Sequence, residues 1–192
     1  MYLQPGGLDT VVPVDGEPAA LDYALPDFDL RLAFEPVDFI QINAAINQAL
    51  VGRAVRLLDA GPADRVLDLF CGLGNFTLAL ARRAASVVGV EADAGLIGRA
   101  RANALRNGID NAAFHVGDLA APDIATSGWW TGGFSHVLLD PPRAGAREVL
   151  PAVARLAPRR IVYISCHPGT FARDLGILVH EHGYVLKAAG VL

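Results

Sequence analysis

From Arg65 onward, short apolar runs alternate with amphipathic stretches, and no other feature of the 192-residue chain restricts its fold as strongly. "RVLDLF", "SVVGVE", "AAFHV", "FSHVLLD" and "RIVYIS" have the length and the Val, Ile and Leu content of buried strands. The segments "GNFTLALARRAA", "AGLIGRARANALRNG", "REVLPAVARL" and "TFARDLGILVHEHG" read as helices, the second ending at the C-cap pair Asn107-Gly108. "ATSGWWTGG", Ala125 to Gly133, reads as a loop whose Trp129 and Trp130 cover the core. Strands alternating with helices of this length predict a doubly wound, mostly parallel α/β sheet. "YVLKAAGVL" reads as one further extended segment at the end.

Residues 1–34 read differently. "LDYALPDFDLRLAF" alternates and carries a Pro-Asp turn, which predicts a hairpin of Leu21–Ala24 and Asp29–Phe34. Asp38 then offers an N-cap for a helix over "FIQINAAINQALVGRAVRLL", with Phe39, Ile42, Ile46, Ala49 and Leu50 at helical spacing. Gly61-Pro62 ends it.

At 53% hydrophobic residues, the chain can bury one substantial core with a small appendage. A net charge of -4 does not advertise a nucleic-acid or membrane surface. Two cysteines, Cys71 and Cys166, are too few for a disulfide framework and too far apart for a C-x-x-C site. His180 and His182 stand at i and i+2, on different sides of a helix, so no metal site is expected. No run is long enough to span a bilayer and the N-terminus lacks a signal pattern, so a cytoplasmic location is expected.

In an open α/β sheet, ligands bind beyond the carboxyl ends of the strands. There the chain places "DLFCGLGNFT", whose Gly72 and Gly74 let the backbone approach a ligand ahead of a helix N-terminus. The dinucleotide fingerprint would need glycine where Thr77 stands, which disfavours a NAD-dependent dehydrogenase. Glu91 ends the second strand, where a carboxylate grips two ribose hydroxyls, and Asp118 follows the third, within reach of an adenine amino group. The fourth leads into "DPPRAGA", Asp140 to Ala146, and the fifth into Ser165-Cys166-His167-Pro168-Gly169. A nucleoside-plus-amino-acid cofactor, S-adenosylmethionine, fits this set better than a pyrophosphate one.

"DFIQIN", "VLDLFCGLGNFTLALA", "VVGVE", "LLDPPRAGA" and "IVYISCHPGTFARDL", in that order, resemble the RNA uracil-5 methyltransferases, most closely their 23S ribosomal RNA branch. The resemblance implies a Rossmann-like class I S-adenosylmethionine-dependent methyltransferase domain over residues 35–192, preceded in 1–34 by the tail of a central domain. It implies that Gln41, Phe70, Gly72, Asn75, Glu91, Asp118 and Asp140 bind S-adenosylmethionine or its product S-adenosylhomocysteine, and that Cys166 is the nucleophile. By the same resemblance, the family's RNA-binding barrel and the iron–sulfur cluster of its central domain lie outside this sequence. So do its catalytic glutamate and its last sheet strand, expected beyond Leu192.

The chemistry implied is methylation of carbon 5 of a uridine in 23S rRNA, through a cysteine adduct at carbon 6. Cys71, inside the glycine loop, reads as packing, whereas the roles of His167 and Arg143 stay open. Rival readings are an amino-group methyltransferase of nucleic acid, a cytosine-5 RNA enzyme, and a non-catalytic cofactor- or rRNA-binding module. The first uses an aromatic residue where Arg143 stands, and the second a cysteine in the fourth-strand loop, where "DPPR" has none. With the last strand missing, the "RIVYIS" strand keeps an open apolar edge. The expected consequences are an edge-paired dimer, fraying after about His182, or the N-terminal hairpin bound in the vacancy.

Overall fold

The computed structural model describes residues 2–7, 10–17, 20–130 and 133–192. Two residues of the expected Ala125–Gly133 loop, Thr131 and Gly132, lie outside the described residues. Its centre is a parallel sheet of β5 (Arg65–Leu69), β6 (Ser86–Glu91), β7 (Ala112–Val116), β8 (His136–Leu139) and β9 (Arg160–Tyr163). The strand order is β7-β6-β5-β8-β9, so the chain winds outward from β5 in both directions. The inner strands β5, β6 and β8 are Val- and Leu-rich because both of their faces are covered, and β5 and β8 are almost wholly buried. β6 and β7 have the limits that the sequence pattern predicts.

The helices are α1 (Ala44–Leu58), α2 (Thr77–Ala81), α3 (Ala94–Arg106), α4 (Leu150–Arg155) and α5 (Pro168–Gly176). α5 runs on into a wider π turn over Ile177–Glu181. Two short pairs precede the sheet: β1 (Tyr2–Leu3) with β2 (Val12–Pro13), and the expected hairpin of β3 (Leu21–Leu25) with β4 (Leu30–Phe34). The hairpin belongs to the main core: Leu25, Phe28, Leu30 and Leu32 pack in one cluster with Val51, Val55 and Leu58 of α1 and Leu78 of α2. The outer backbone edge of β4 is completed by α3. Asn107 Oδ1 accepts from the Arg31 amide at 2.9 Å and Asn103 Oδ1 from the Ala33 amide at 2.8 Å, and both side-chain amides donate back to the same two residues' carbonyls.

Two expectations need correction. α1 does not start at Asp38: Asn43 caps it, accepting from the Ile46 amide at 3.2 Å. Asp38 instead takes the Glu35 amide at 2.7 Å and the Arg99 guanidinium at 2.5 Å, which holds residues 39–43 out of the helix. Phe39 and Ile42, read as part of its apolar stripe, are 83% and 93% exposed. Residues 184–192 form neither helix nor strand, which fits one of the three consequences expected at this end, the loss of regular structure after about His182; Lys187, Ala188, Ala189 and Gly190 are poor strand formers. A groove of about 610 Å³ separates residues 183–188 from β9. Lastly, the hairpin lies against α1, α2 and α3, not beside β9. Trp130 covers the core as expected, and Trp129 packs beside it with its ring stacked on His115 at 5.9 Å.

Candidate active site

Backbone pairing fixes which residues share the carboxyl edge of the sheet. The Cys71 amide donates to the Val90 carbonyl at 3.0 Å, Gly117 to Glu91 at 3.0 Å, Asp140 to Leu69 at 3.3 Å, and Ile164 to Leu139 at 2.8 Å. The starts of all the loops after β5 to β9 are therefore level. Phe70, Gly72, Glu91, Asp118 and Asp140 all lie at or just past these strand ends, and Cys166 emerges one strand beyond Asp140.

The loop after β5 is built to leave backbone open. Phe70 at φ 64°, Gly72 at φ 55° and Gly74 at φ 97° all take left-handed conformations, which glycine adopts at little cost and phenylalanine does not. Such strain persists where surrounding packing overdetermines it, and it concentrates at ligand clamps. Glu91 braces the loop: its Oε2 accepts from the Gly72 amide at 3.3 Å, and its Oε1 from Ala92 at 2.7 Å and Asp93 at 3.2 Å. A carboxylate offers about four acceptor positions, so Glu91 has capacity left for hydroxyl donors. Asp118 is exposed and accepts from the Ala120 amide at 2.9 Å.

Beneath the loop lies a residue that the motif reading passed over. Asp68, in β5, is fully buried, and its Oδ2 accepts from the Thr77 hydroxyl at 2.5 Å. Its Oδ1 is buried with no hydrogen-bond partner among the described residues. Burial, with the charges of Asp140 and Glu91 added, pushes the Asp68 carboxyl up to about 7 against the Thr77 bond that lowers it. Burial likewise pushes Asp140 up to about 6. An unpaired buried carboxylate is costly, so this arrangement favours a cationic ligand. The signal was in the sequence: an acid among the apolar residues Val66, Leu67 and Leu69, just before the glycine loop.

Two predicted residues sit less directly. Asn75 forms a reciprocal amide pair with Asn47 of α1, at 2.9 and 3.1 Å, and accepts from the Tyr23 hydroxyl at 2.9 Å. It thereby ties the glycine loop to both the hairpin and α1. Gln41 is exposed in the irregular segment before α1.

Both cysteines are free, with Cys71 buried and Cys166 exposed. Burial, then Asp68 and Glu91, push the Cys71 thiol well above its ordinary value, as suits a packing residue. Cys166 lies just outside α5, whose N-cap is His167: its Nδ1 accepts from the Thr170 amide at 3.3 Å, which gives that histidine a structural role. Ser165 Oγ accepts from the His167 amide at 3.1 Å and holds the turn through Cys166.

The model of the tRNA (uracil-5-)-methyltransferase family matches residues 22–127 and 130–189. The chain belongs to this family. It is 55% identical over all 192 residues to the 23S rRNA (uracil(1939)-C(5))-methyltransferase RlmD of Xanthomonas axonopodis pv. citri, and 54% identical to that of Stenotrophomonas maltophilia. In each case it spans 43% of the relative's length. Among solved structures it resembles the Pyrococcus abyssi tRNA (uracil-54, C5)-methyltransferase in complex with S-adenosyl-L-homocysteine. That match has a TM-score of 0.71 and 31% identity, covering 84% of this chain and 38% of that one. A precorrin-6y C5,15-methyltransferase from Geobacter metallireducens shares the fold at 15% identity, with a TM-score of 0.64 over 88% of this chain and 86% of that one. The uracil-5-methyltransferase family thus has here the Rossmann-like fold of S-adenosylmethionine-dependent methyltransferases. No helix among the described residues is long and apolar enough to cross a membrane.

Proposed function

We propose that this chain is the methyltransferase core of an enzyme that methylates carbon 5 of a uridine in 23S rRNA, with Cys166 as nucleophile. The observation that carries this reading is the free, exposed thiol of Cys166 at the end of β9, on the same sheet edge as the glycine loop and Asp140. The identity to the RlmD proteins supports the choice of ribosomal RNA. The residues present suit S-adenosylmethionine: Glu91 for the ribose hydroxyls, Asp118 for the adenine, and the poorly solvated carboxyls of Asp68 and Asp140, whose ionised forms a nearby cationic methionine end would stabilise. Gln41, Phe70, Gly72 and Asn75 complete the proposed site, Asn75 through its hold on the loop. When bound, this cofactor supplies an electrophilic methyl group on a positively charged sulfur.

Carbon 5 of uracil is a poor nucleophile. The Cys166 thiolate adds to carbon 6, forming a C–S bond, and the electrons of the C5–C6 double bond shift toward O4 as an enolate. Carbon 5 is now nucleophilic. After its alkylation, a base removes the carbon-5 proton; those electrons restore the double bond and the thiolate leaves. The strand order β5-β8-β9 puts Asp140 between the glycine loop and Cys166, where it can face both cofactor and base. Arg143, exposed in the same loop, offers its guanidinium to an RNA phosphate.

The test uses the full-length enzyme and RNA containing 5-fluorouridine, in which no proton can leave carbon 5. A covalent protein–RNA adduct should accumulate, disappear in Cys166→Ala and survive in Cys71→Ala. An adduct that persists in Cys166→Ala would end this reading.

A further inference from the structure

We propose that Asp174 is a positioning residue that fixes the Asp140 loop against the helix next to Cys166, and so sets the geometry in which the thiolate meets the base. The inference rests on the reading of Cys166 as nucleophile. It starts from what the loop lacks. Pro141 and Pro142 have no N–H to donate, and the loop's internal backbone bond is Gly145 to the Pro142 carbonyl at 2.9 Å. Three further backbone groups are held from outside, by one face of α5. The Thr170 hydroxyl donates to the Arg143 carbonyl at 3.0 Å, Arg173 Nη2 donates to the Ala144 carbonyl at 2.8 Å, and Asp174 Oδ2 accepts from the Ala146 amide at 2.7 Å. Gly145 passes beneath this face at φ 85°, and a Cβ there would lie 2.5 Å from both Arg173 Nη2 and Asp174 Oδ2. The contact is tight enough to exclude any side chain.

Asp174 is the hub. It is fully buried on a helix whose neighbouring positions are largely open to solvent. Its Oδ2 also accepts from the Tyr163 hydroxyl at 2.5 Å, and its Oδ1 from Arg173 Nε at 2.7 Å. Tyr163 is the last residue of β9, three before Cys166, so one carboxylate joins the strand that delivers the thiol to the loop that carries Asp140. Burial alone would raise this carboxyl, but the bonds from Arg173, Tyr163 and Ala146 outweigh it and hold it below its ordinary value. Asparagine at position 174 keeps the shape and one acceptor oxygen. Its amide would face a donor of Arg173, Tyr163 or Ala146, loosening the hold on the loop without emptying the site. Small displacements of reacting groups are expensive: about 1 Å can cost a hundredfold in rate.

The experiment measures single-turnover adduct formation on 5-fluorouridine RNA and S-adenosylhomocysteine affinity by calorimetry, in the full-length enzyme. Asp174→Asn should slow adduct formation by at least about tenfold while changing the dissociation constant by less than about threefold. Thr170→Ala should slow it by about fivefold and Thr170→Ser should restore it, since serine keeps the hydroxyl. If Asp174→Asn fails to fold, the Thr170 pair decides. Adduct rates within twofold of wild type overturn the inference, and so does a parallel loss of cofactor affinity, which would mark general loosening. A wild-type enzyme that forms no adduct through Cys166 overturns the underlying reading and this one with it. A normal wild-type adduct with indifferent variants overturns this one alone.

Discussion

Asp68 makes the most quantitative demand on the structure. Consider Asp68→Asn in the cofactor-free chain. Below about pH 3.8 the aspartate is protonated in both the folded and the unfolded chain, and ionisation contributes nothing to stability. As pH rises toward 7, the unfolded chain releases the proton while the folded chain retains it. The folded state thus binds more protons over that window, and its stability falls with rising pH. Lifting a buried carboxyl from 3.8 to about 7 corresponds to roughly 4 kcal/mol lost by pH 8, an upper figure that solvent penetration would reduce. Asparagine keeps an oxygen for the Thr77 hydroxyl and has no proton to release. The unpaired amide that it places where Oδ1 stood costs a roughly constant ~1–3 kcal/mol at every pH. Urea unfolding of both proteins at pH 4.5, 6, 7.5 and 8.5 should therefore show the variant gaining on wild type by several kcal/mol as pH rises, with most of the change below pH 7.5. Curves that stay parallel within about 0.5 kcal/mol would refute the claim that Asp68 is an unsatisfied buried acid.

Two further outcomes test other parts of the molecule. Glu91→Ala should weaken S-adenosylhomocysteine binding by at least about 1.5 kcal/mol in calorimetry, because it removes both a charged acceptor and the brace on Gly72; an unchanged affinity would take Glu91 out of the site. Leu32→Ala, at a fully buried hairpin position, should cost roughly 2–5 kcal/mol in denaturant unfolding of the whole chain, and a loss under 1 kcal/mol would mean that the hairpin is a loose appendage.

What could be read from the sequence was what local pattern controls. β6 was legible to the residue because its buried centre is an apolar run bounded by Ser86 and Glu91. β7, an edge strand with only Phe114 buried, was legible because its short apolar run lies between Asn111 and Gly117. The glycine loop, Glu91, Asp118 and Asp140 were legible because each follows a strand, and the register of the ladders makes the strand ends level. The start of α1 was not. A good N-cap residue at position 38 was drawn away by Arg99, which lies 61 positions along the chain. Asp174 was invisible for the same kind of reason: on an amphipathic helix an acid reads as solvated, and its partners lie on another strand and another loop. Asp68 could have been noticed, since an acid among Val66, Leu67 and Leu69 demands an explanation. The end at 184–192 was legible only as one of several outcomes, because nothing in its local pattern says whether an unpaired segment keeps a regular shape.

The side chains of Asn103 in α3 and of Asn107, its C-cap, have a consequence for how the hairpin meets water. A two-stranded hairpin ordinarily presents an outer row of amides that exchange their hydrogens freely. Here the Arg31 and Ala33 amides are bonded to Asn107 and Asn103, so water meets a finished surface. Those hydrogens can leave only when the hairpin lifts away from α3, and the Tyr23 hydroxyl that holds Asn75 belongs to the same hairpin. The exchange clock of two surface amides thus keeps time with an opening that begins at the rim of the molecule and reaches the glycine loop.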